Sequence, residues 1–113
     1  MSGYRANLPD LVVRDNANTA TSNVIAGFED AKAITIFAPG TLTHTHHVQI
    51  HASAAAATSS SGWATHTSGG SLITITRGTA VTITDVEWGA LRLSSLGLET
   101  TARTFTVTKK CET

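Results

Sequence analysis

Apolar residues and threonines recur with a period of two in four segments of this chain: AITIF (33–37), LITIT (72–76), VTIT (81–84) and FTVT (105–108). Successive side chains of a β-strand point to opposite faces. Each segment therefore puts aliphatic or aromatic groups on one face and at least one Thr hydroxyl on the other. No useful length of the chain repeats the 3.6-residue period of an amphipathic helix. The pattern predicts strands with one buried face.

Weaker strand signals occur at 11–13 (LVV), 23–26 (NVIA), 47–51 (HVQIH) and 88–93 (WGALRL). About eight short antiparallel strands separated by turn residues are typical of an all-β sandwich or barrel. The short gap at Arg77-Gly78-Thr79 predicts a hairpin over residues 71–84. The side chains expected to face inward are Ile34, Ile36, Val48, Ile50, Ile73, Ile75, Val81, Ile83, Leu91, Leu93, Phe105 and Val107.

The length of 113 residues suits a single domain. Residues 15–22 (DNANTATS) are polar, so we expect residues 1–22 to form a partly flexible N-terminal arm. Residues 23–113 would then form one β-sandwich domain. The first ten residues, MSGYRANLPD, contain no apolar h-region, and we expect no signal peptide.

Composition excludes several classes of protein. Eight basic residues balance eight acidic ones, and only 14% of the residues are charged, which argues against nucleic acid as the main partner. No apolar run approaches the roughly 18 residues of a membrane helix. Cys111 is the single cysteine, so an internal disulfide or a Cys-based zinc site is excluded, and we expect a free thiol in a terminal tail. The chain instead contains 20 Thr and 10 Ser, and Thr favours β-structure.

Two histidines are the candidate metal ligands. On a strand, His44 and His46 would share a face, and two histidines at that spacing can bind one metal ion. Residues 39–46 resemble a fragment of the cupin metal motif, a glycine followed by His-x-His. Cupins place a glutamate a few residues later, where this chain has Gln49, Ile50 and His51, and the second cupin motif is absent. We therefore expect no metal and no cofactor.

No residues form a recognisable catalytic constellation. The chain has no Gly-x-Ser-x-Gly elbow for a nucleophilic serine. Cys111 has no fixed base nearby in sequence, and Asp85 and Glu87 are typical of solvated groups beside a turn. We therefore expect no catalytic residue and no enzymatic activity.

Aromatic residues provide the candidate interface. If Leu91 and Leu93 face the core, uninterrupted alternation turns Trp88, Ala90 and Arg92 to the other side. A Trp beside an Arg favours a protein contact surface over a sugar platform, because both are enriched among interface anchors. Trp88 and Arg92 are the predicted interface residues.

Three segments together resemble the capsid cement proteins, also called decoration or staple proteins, of tailed bacteriophages. They are FEDAKAITIFAPGTLTHTHHVQIHA, GGSLITITRGTAVTITDVEWGALRLSS and ARTFTVTKK. The resemblance lies in Thr-rich short strands, low charge and a neutral balance over residues 23–109. It implies a jelly-roll-like fold, no catalysis, self-association and binding across junctions between major capsid subunits.

Three functions follow from these observations. The first is a structural virion protein on the capsid exterior that binds the major capsid protein and itself, as a dimer or alternatively a trimer. The second is a carbohydrate-binding or adhesion module. The third is a cupin-like metal-binding protein.

Overall fold

The computed structural model describes residues 4–13, 21–28, 30–53, 62–68, 71–84, 86, 88–96 and 102–111. Twelve strands lie in this part of the chain. They are β1 (Tyr4–Asn7), β2 (Leu11–Val13), β3 (Ile25–Ala26), β4 (Ala31–Phe37), β5 (His46–His51), β6 (Ala64–Thr65), β7 (Thr67–Ser68), β8 (Ser71–Leu72), β9 (Thr74–Ile75), β10 (Ala80–Ile83), β11 (Ala90–Ser95) and β12 (Arg103–Cys111). Within the same residues, no helix long and apolar enough to cross a membrane occurs.

The strands form two five-stranded antiparallel sheets. The first sheet has the order β1-β12-β4-β10, and β2 also pairs with β12. The second has the order β3-β11-β5-β6, and β9 also pairs with β5. The predicted all-β sandwich is confirmed, with four more strands than expected because several are only two residues long.

The strand pairs are nested along the chain. β1 pairs with β12, β3 with β11, and β4 with β10, so early strands meet late strands in order. A long antiparallel ribbon rolled onto itself in this way is the jelly-roll arrangement. The remaining short strands β7 and β8 pair only with each other.

The core lies between the two sheets. Of the twelve residues predicted to face inward, ten are buried, and Ile50 and Val81 are half-buried and packed against the core. Alternation identified these residues because apolar burial selects one face of each strand. The structure adds hydrophobic residues that the alternation did not single out: Leu11, Val13, Ile25, Phe28, Leu42, Ala90 and Cys111.

The N-terminal arm expected over residues 1–22 is wrong for residues 4–13. β1 and β2 pair with β12, and Leu11 and Val13 are fully buried. Three residues are too short to show a period, so LVV gave only a weak strand signal. Residues 14–20 lie outside the described part of the chain.

Two further expectations are corrected. Residues 71–84 do not form a hairpin, because β9 pairs with β5 in the second sheet and β10 pairs with β4 in the first. The turn at Arg77 and Gly78 therefore connects the two sheets. Cys111 does not lie in a tail: it is the last residue of β12 and is fully buried opposite Ala31.

Candidate functional site

A group of polar and aromatic side chains in mutual contact lies on the outer face of the second sheet. On β5, His46 and Val48 are buried, so His47, Gln49 and His51 point outward. The register of β5 and β11 places Gln49 opposite Arg92. Side chains opposite each other on one face are close enough to interact.

Arg92 is held by two contacts on this face. Its Nε–H donates a hydrogen bond of 2.7 Å to Oε1 of Gln49. Its guanidinium carbon lies 4.4 Å from the ring centroid of Trp63, a cation–π contact. The ring of His51 meets Trp63 edge-on, with 5.2 Å between centroids. We call Gln49, His51, Trp63 and Arg92 the Trp63 cluster.

Gly62 determines how Trp63 reaches the sheet. Its φ of +86° lies in the left-handed region, where a side chain is strained. A Cβ at this position would also lie 2.6 Å from Nε2 of His51. Nδ1 of the same ring accepts a hydrogen bond from the Ser53 backbone N–H at 3.0 Å, which fixes the ring. Glycine at 62 therefore lets the backbone pass close to His51 and lay Trp63 beside it.

The electrostatics of the Trp63 cluster are dominated by one cation. Burial lowers the pKa of Arg92, and none of the acidic groups that the structure describes contributes to this shift. Arginine has further N–H donors on its two Nη atoms. In the ranges that the structure describes, these Nη donors have no acceptor. The cluster therefore presents a positive, partly desolvated fork of donors to solvent.

Trp88, the other predicted interface residue, packs differently from the expectation. It is half-buried against the core, and its ring meets that of Phe28 edge-on at a centroid distance of 4.9 Å. The predicted outward alternation is wrong here because β11 begins at Ala90, after Trp88. Ala90 is itself fully buried. Arg92 does face outward, whereas a role for either residue in an interface remains a prediction.

The candidate metal ligands His44 and His46 do not share a strand face. β5 begins at His46, whose fully buried ring packs edge-on against Phe105 at 5.2 Å, whereas His44 is exposed on the preceding bend. His44 lines an open depression of about 190 Å³ together with Leu42, Thr43, Thr45, Thr76 and Arg77. Across the described ranges, no three His, Cys, Asp or Glu side chains are grouped to hold a metal ion.

The outer face of the first sheet has a different character. Thr82, Thr35 and Thr108 lie side by side on β10, β4 and β12. The hydroxyls of Thr35 and Thr82 are 3.0 Å apart and hydrogen-bonded. These threonines border a shallow depression of about 130 Å³, lined also by Ala33, Lys109 and Lys110. We call Thr35, Thr82 and Thr108 the threonine row.

Sequence reasoning missed the Trp63 cluster as a unit. The alternation in HVQIH does place His47, Gln49 and His51 on one face. The partner of that face depends on the β5–β11 register, which no local pattern encodes. Gly62 immediately before Trp63 was the available local signal, because glycine often marks a close backbone approach.

Comparison with known proteins supports the fold. No protein-family model matches the chain, and no curated protein matches it. Among solved structures, it is similar to IMPa from Pseudomonas aeruginosa in complex with an O-glycopeptide, with a TM-score of 0.52 and 16% identity. The IMPa metallopeptidase in complex with T-antigen gives a TM-score of 0.52 and 15% identity. Each match covers 98% of this chain and 13% of the other, so the chain spans about an eighth of these proteins, and the likeness shows the fold alone.

Proposed function

We propose that this chain is a non-enzymatic structural protein of a phage virion. It binds the outside of the capsid and stabilises the shell by bridging major capsid subunits. The resemblance to capsid cement proteins supports this assignment, and the jelly-roll arrangement is one that viral capsid domains use.

The threonine row is the observation that carries the proposal. A face made of short β-branched side chains on paired strands is stiff, so it loses little conformational entropy when it docks. The depression at the threonine row is small. Its volume is about 130 Å³, well below the roughly 300 Å³ or more of a typical small-molecule pocket. Such a face suits a broad protein contact better than a small substrate.

Binding to capsids tests this proposal directly. The purified chain is mixed with capsids of its source phage and sedimented, and we expect it to pellet at a fixed ratio to the major capsid protein. Thr35→Arg places a bulky cation in the threonine row and should weaken pelleting. Ser94→Arg, at a half-buried position on the outer face of the other sheet, is the matched control. A chain that stays in the supernatant, or a Thr35→Arg variant that pellets like the unmodified chain, contradicts the proposal.

The same proposal includes self-association, and β10 is the strand best suited to it. β10 is an edge of the first sheet and contains neither a charged residue nor a proline. Edge strands of proteins that stay monomeric usually carry charged residues or prolines, which discourage pairing with another chain. The opposite edge consists of β1, which contains Arg5 and is followed closely by Pro9, and of β2, which has only three residues. In the second sheet, the edge strands β3, β6 and β9 have only two residues each.

The backbone of β10 is self-complementary. Thr79 accepts a hydrogen bond from Ala38 across the pair with β4, so alternation points the N–H and C=O groups of Ala80 and Thr82 away from β4. Two β10 strands can pair antiparallel with Val81 on a two-fold axis. Ala80 of each copy then lies opposite Thr82 of the other, and all four groups on each strand gain partners. We therefore favour a dimer over a trimer.

Cysteine cross-linking tests this register. Facing residues at a non-hydrogen-bonded antiparallel pair have Cα atoms about 4.5 Å apart, which a disulfide can span. Val81→Cys should therefore give a covalent dimer under mild oxidation. Thr84→Cys, exposed on the same segment but displaced from the axis, is the matched control. A Val81→Cys chain that stays monomeric, or one that cross-links no better than Thr84→Cys, contradicts this register.

A further inference from the structure

Arg92 is fixed in place yet keeps its outer donors available. Gln49 binds Nε at 2.7 Å, and Trp63 covers one face of the guanidinium at 4.4 Å. We propose that the Nη fork of Arg92 is a binding site for a carboxylate. The site needs no contribution from a capsid, so it stands independently of the proposed function.

Preorganisation is the first argument. A free arginine side chain loses up to about 2 kcal/mol of rotamer entropy when it is ordered. The contacts with Gln49 and Trp63 have already ordered Arg92 before any ligand arrives. A ligand that reaches the fork therefore gains two parallel charged hydrogen bonds without ordering the side chain that donates them.

Charge is the second argument. Burial lowers the pKa of Arg92, and no acidic side chain in the described part of the chain offsets that cost. The described ranges contain two acidic residues, Asp10 and Asp30; Asp30 is bound to Lys109 at 2.7 Å, and neither forms an ion pair with Arg92. A partly desolvated cation without a counter-ion gains from an anion that restores its charge balance.

The geometry favours a carboxylate over a phosphate. A planar carboxylate matches the planar fork and carries one negative charge, which one guanidinium neutralises. A phosphate carries between one and two negative charges at neutral pH, and the cluster offers a single Arg. The rings of Trp63 and His51 give the carbon skeleton of the ligand a surface to contact. Two sources share this chemistry: an acidic sugar, and an Asp or Glu side chain of a protein.

The test uses the full chain labelled with ¹⁵N and observed by NMR. The reporters are the Arg92 Nε–H and the Trp63 indole N–H. The probes are sodium glucuronate, glucose, sodium acetate and inorganic phosphate at constant ionic strength. We expect glucuronate and acetate to shift both reporters in a saturable way, glucose to shift neither, and phosphate to bind more weakly than either carboxylate.

Variants separate the fork from general charge. Arg92→Lys keeps the charge but loses the fork, and its carboxylate affinity should fall about tenfold or more, as expected for a lost charged hydrogen bond. Arg77→Lys, on the exposed turn between the sheets, should bind like the unmodified chain. Gln49→Ala removes the acceptor of the Arg92 Nε–H hydrogen bond but no group that contacts the ligand. It should weaken carboxylate binding because Arg92 is then less well ordered, and this variant tests the proposal if Arg92→Lys does not fold.

The outcomes also separate the two sources. Glucuronate binding about tenfold tighter than acetate identifies an acidic sugar, because the ring then adds contacts to the carboxylate. Equal affinity identifies a protein carboxylate, because only the shared group is recognised. The proposal is overturned if neither carboxylate shifts the reporters, if phosphate binds more tightly, or if Arg77→Lys lowers affinity as much as Arg92→Lys.

Discussion

Gly62 and His51 are in such close contact that a Cβ on Gly62 would stand 2.6 Å from Nε2 of the His51 ring. His51 is anchored through its strand and through Ser53, so it has little room to withdraw. The backbone can therefore pass close to His51 and reach Trp63 only because residue 62 is a glycine.

Replacing Gly62 by alanine should displace Trp63 from Arg92. The left-handed φ alone costs a non-glycine residue about 1–2 kcal/mol, and the contact with His51 adds to it. We expect the Trp63 indole N–H signal to move and the free energy of unfolding to fall by that amount or more. Gly40→Ala is the control, because nothing lies within 4 Å of a Cβ there. An unmoved indole signal in Gly62→Ala would show that the contact does not position Trp63.

Ile83 is 2% exposed between the sheets, and Ile83→Ala should lower the free energy of unfolding by about 2–5 kcal/mol. The loss combines the transfer of apolar surface and the cavity left behind. Thr84→Ala changes the exposed neighbour and should cost less than about 0.5 kcal/mol. Urea unfolding followed by far-UV circular dichroism measures both. A loss below 0.5 kcal/mol for Ile83→Ala would mean that this side chain is not in the core.

The N-terminal strands should be essential to the sandwich. Leu11→Ala should cost about 2–5 kcal/mol because the side chain is fully buried, while the half-exposed neighbour Val12→Ala should cost clearly less. Deletion of residues 1–13 should go further and prevent cooperative thermal unfolding. A truncated chain that melts cooperatively near the full-length midpoint would show that β1 and β2 are dispensable.

Acid should weaken the link between Asp30 and Lys109. The hydrogen bond from Lys109 lowers the pKa of Asp30 below its usual value. A depressed folded-state pKa stabilises the fold above the unfolded pKa of about 3.9, and this contribution disappears as pH falls through the folded pKa. The unmodified chain should therefore have a higher melting temperature than the Asp30→Asn variant at pH 7. This difference in melting temperature should vanish in strong acid. In a Lys109→Met background, the difference that Asp30→Asn makes at pH 7 should be clearly smaller, because the largest cause of the lowered pKa is gone; an undiminished difference would assign the effect to another partner.

The alternation in the sequence predicted which face of each strand is buried. It did not determine which strands pair with each other. Ile75 and Ile83 were both expected to be inward, and both are buried, yet they belong to opposite sheets. A period of two specifies which side of a strand is apolar, and this requirement is the same in either sheet. The hairpin prediction failed for that reason.

The candidate site was less predictable than the core. Arg92 was expected to face outward and does, but its neighbours on that face are Gln49 and Trp63 rather than Trp88. The pairing of Gln49 with Arg92 joins strands far apart in the chain. Gly89, just before β11, separates Trp88 from the regular alternation.

The nested pairing has a consequence for the time course of folding. β12 is hydrogen-bonded to β1, β2 and β4, so three strands of the first sheet receive their common neighbour only when residues 103–111 arrive. During synthesis on a ribosome, β1 must therefore wait for almost all the described chain to be made. Loops that long are closed at an entropic cost before any contact repays it, which makes folding slow compared with proteins whose contacts are local. The nascent chain thus exposes unpaired apolar strands for the whole of its translation, and this interval is when it is most open to chaperones and to aggregation.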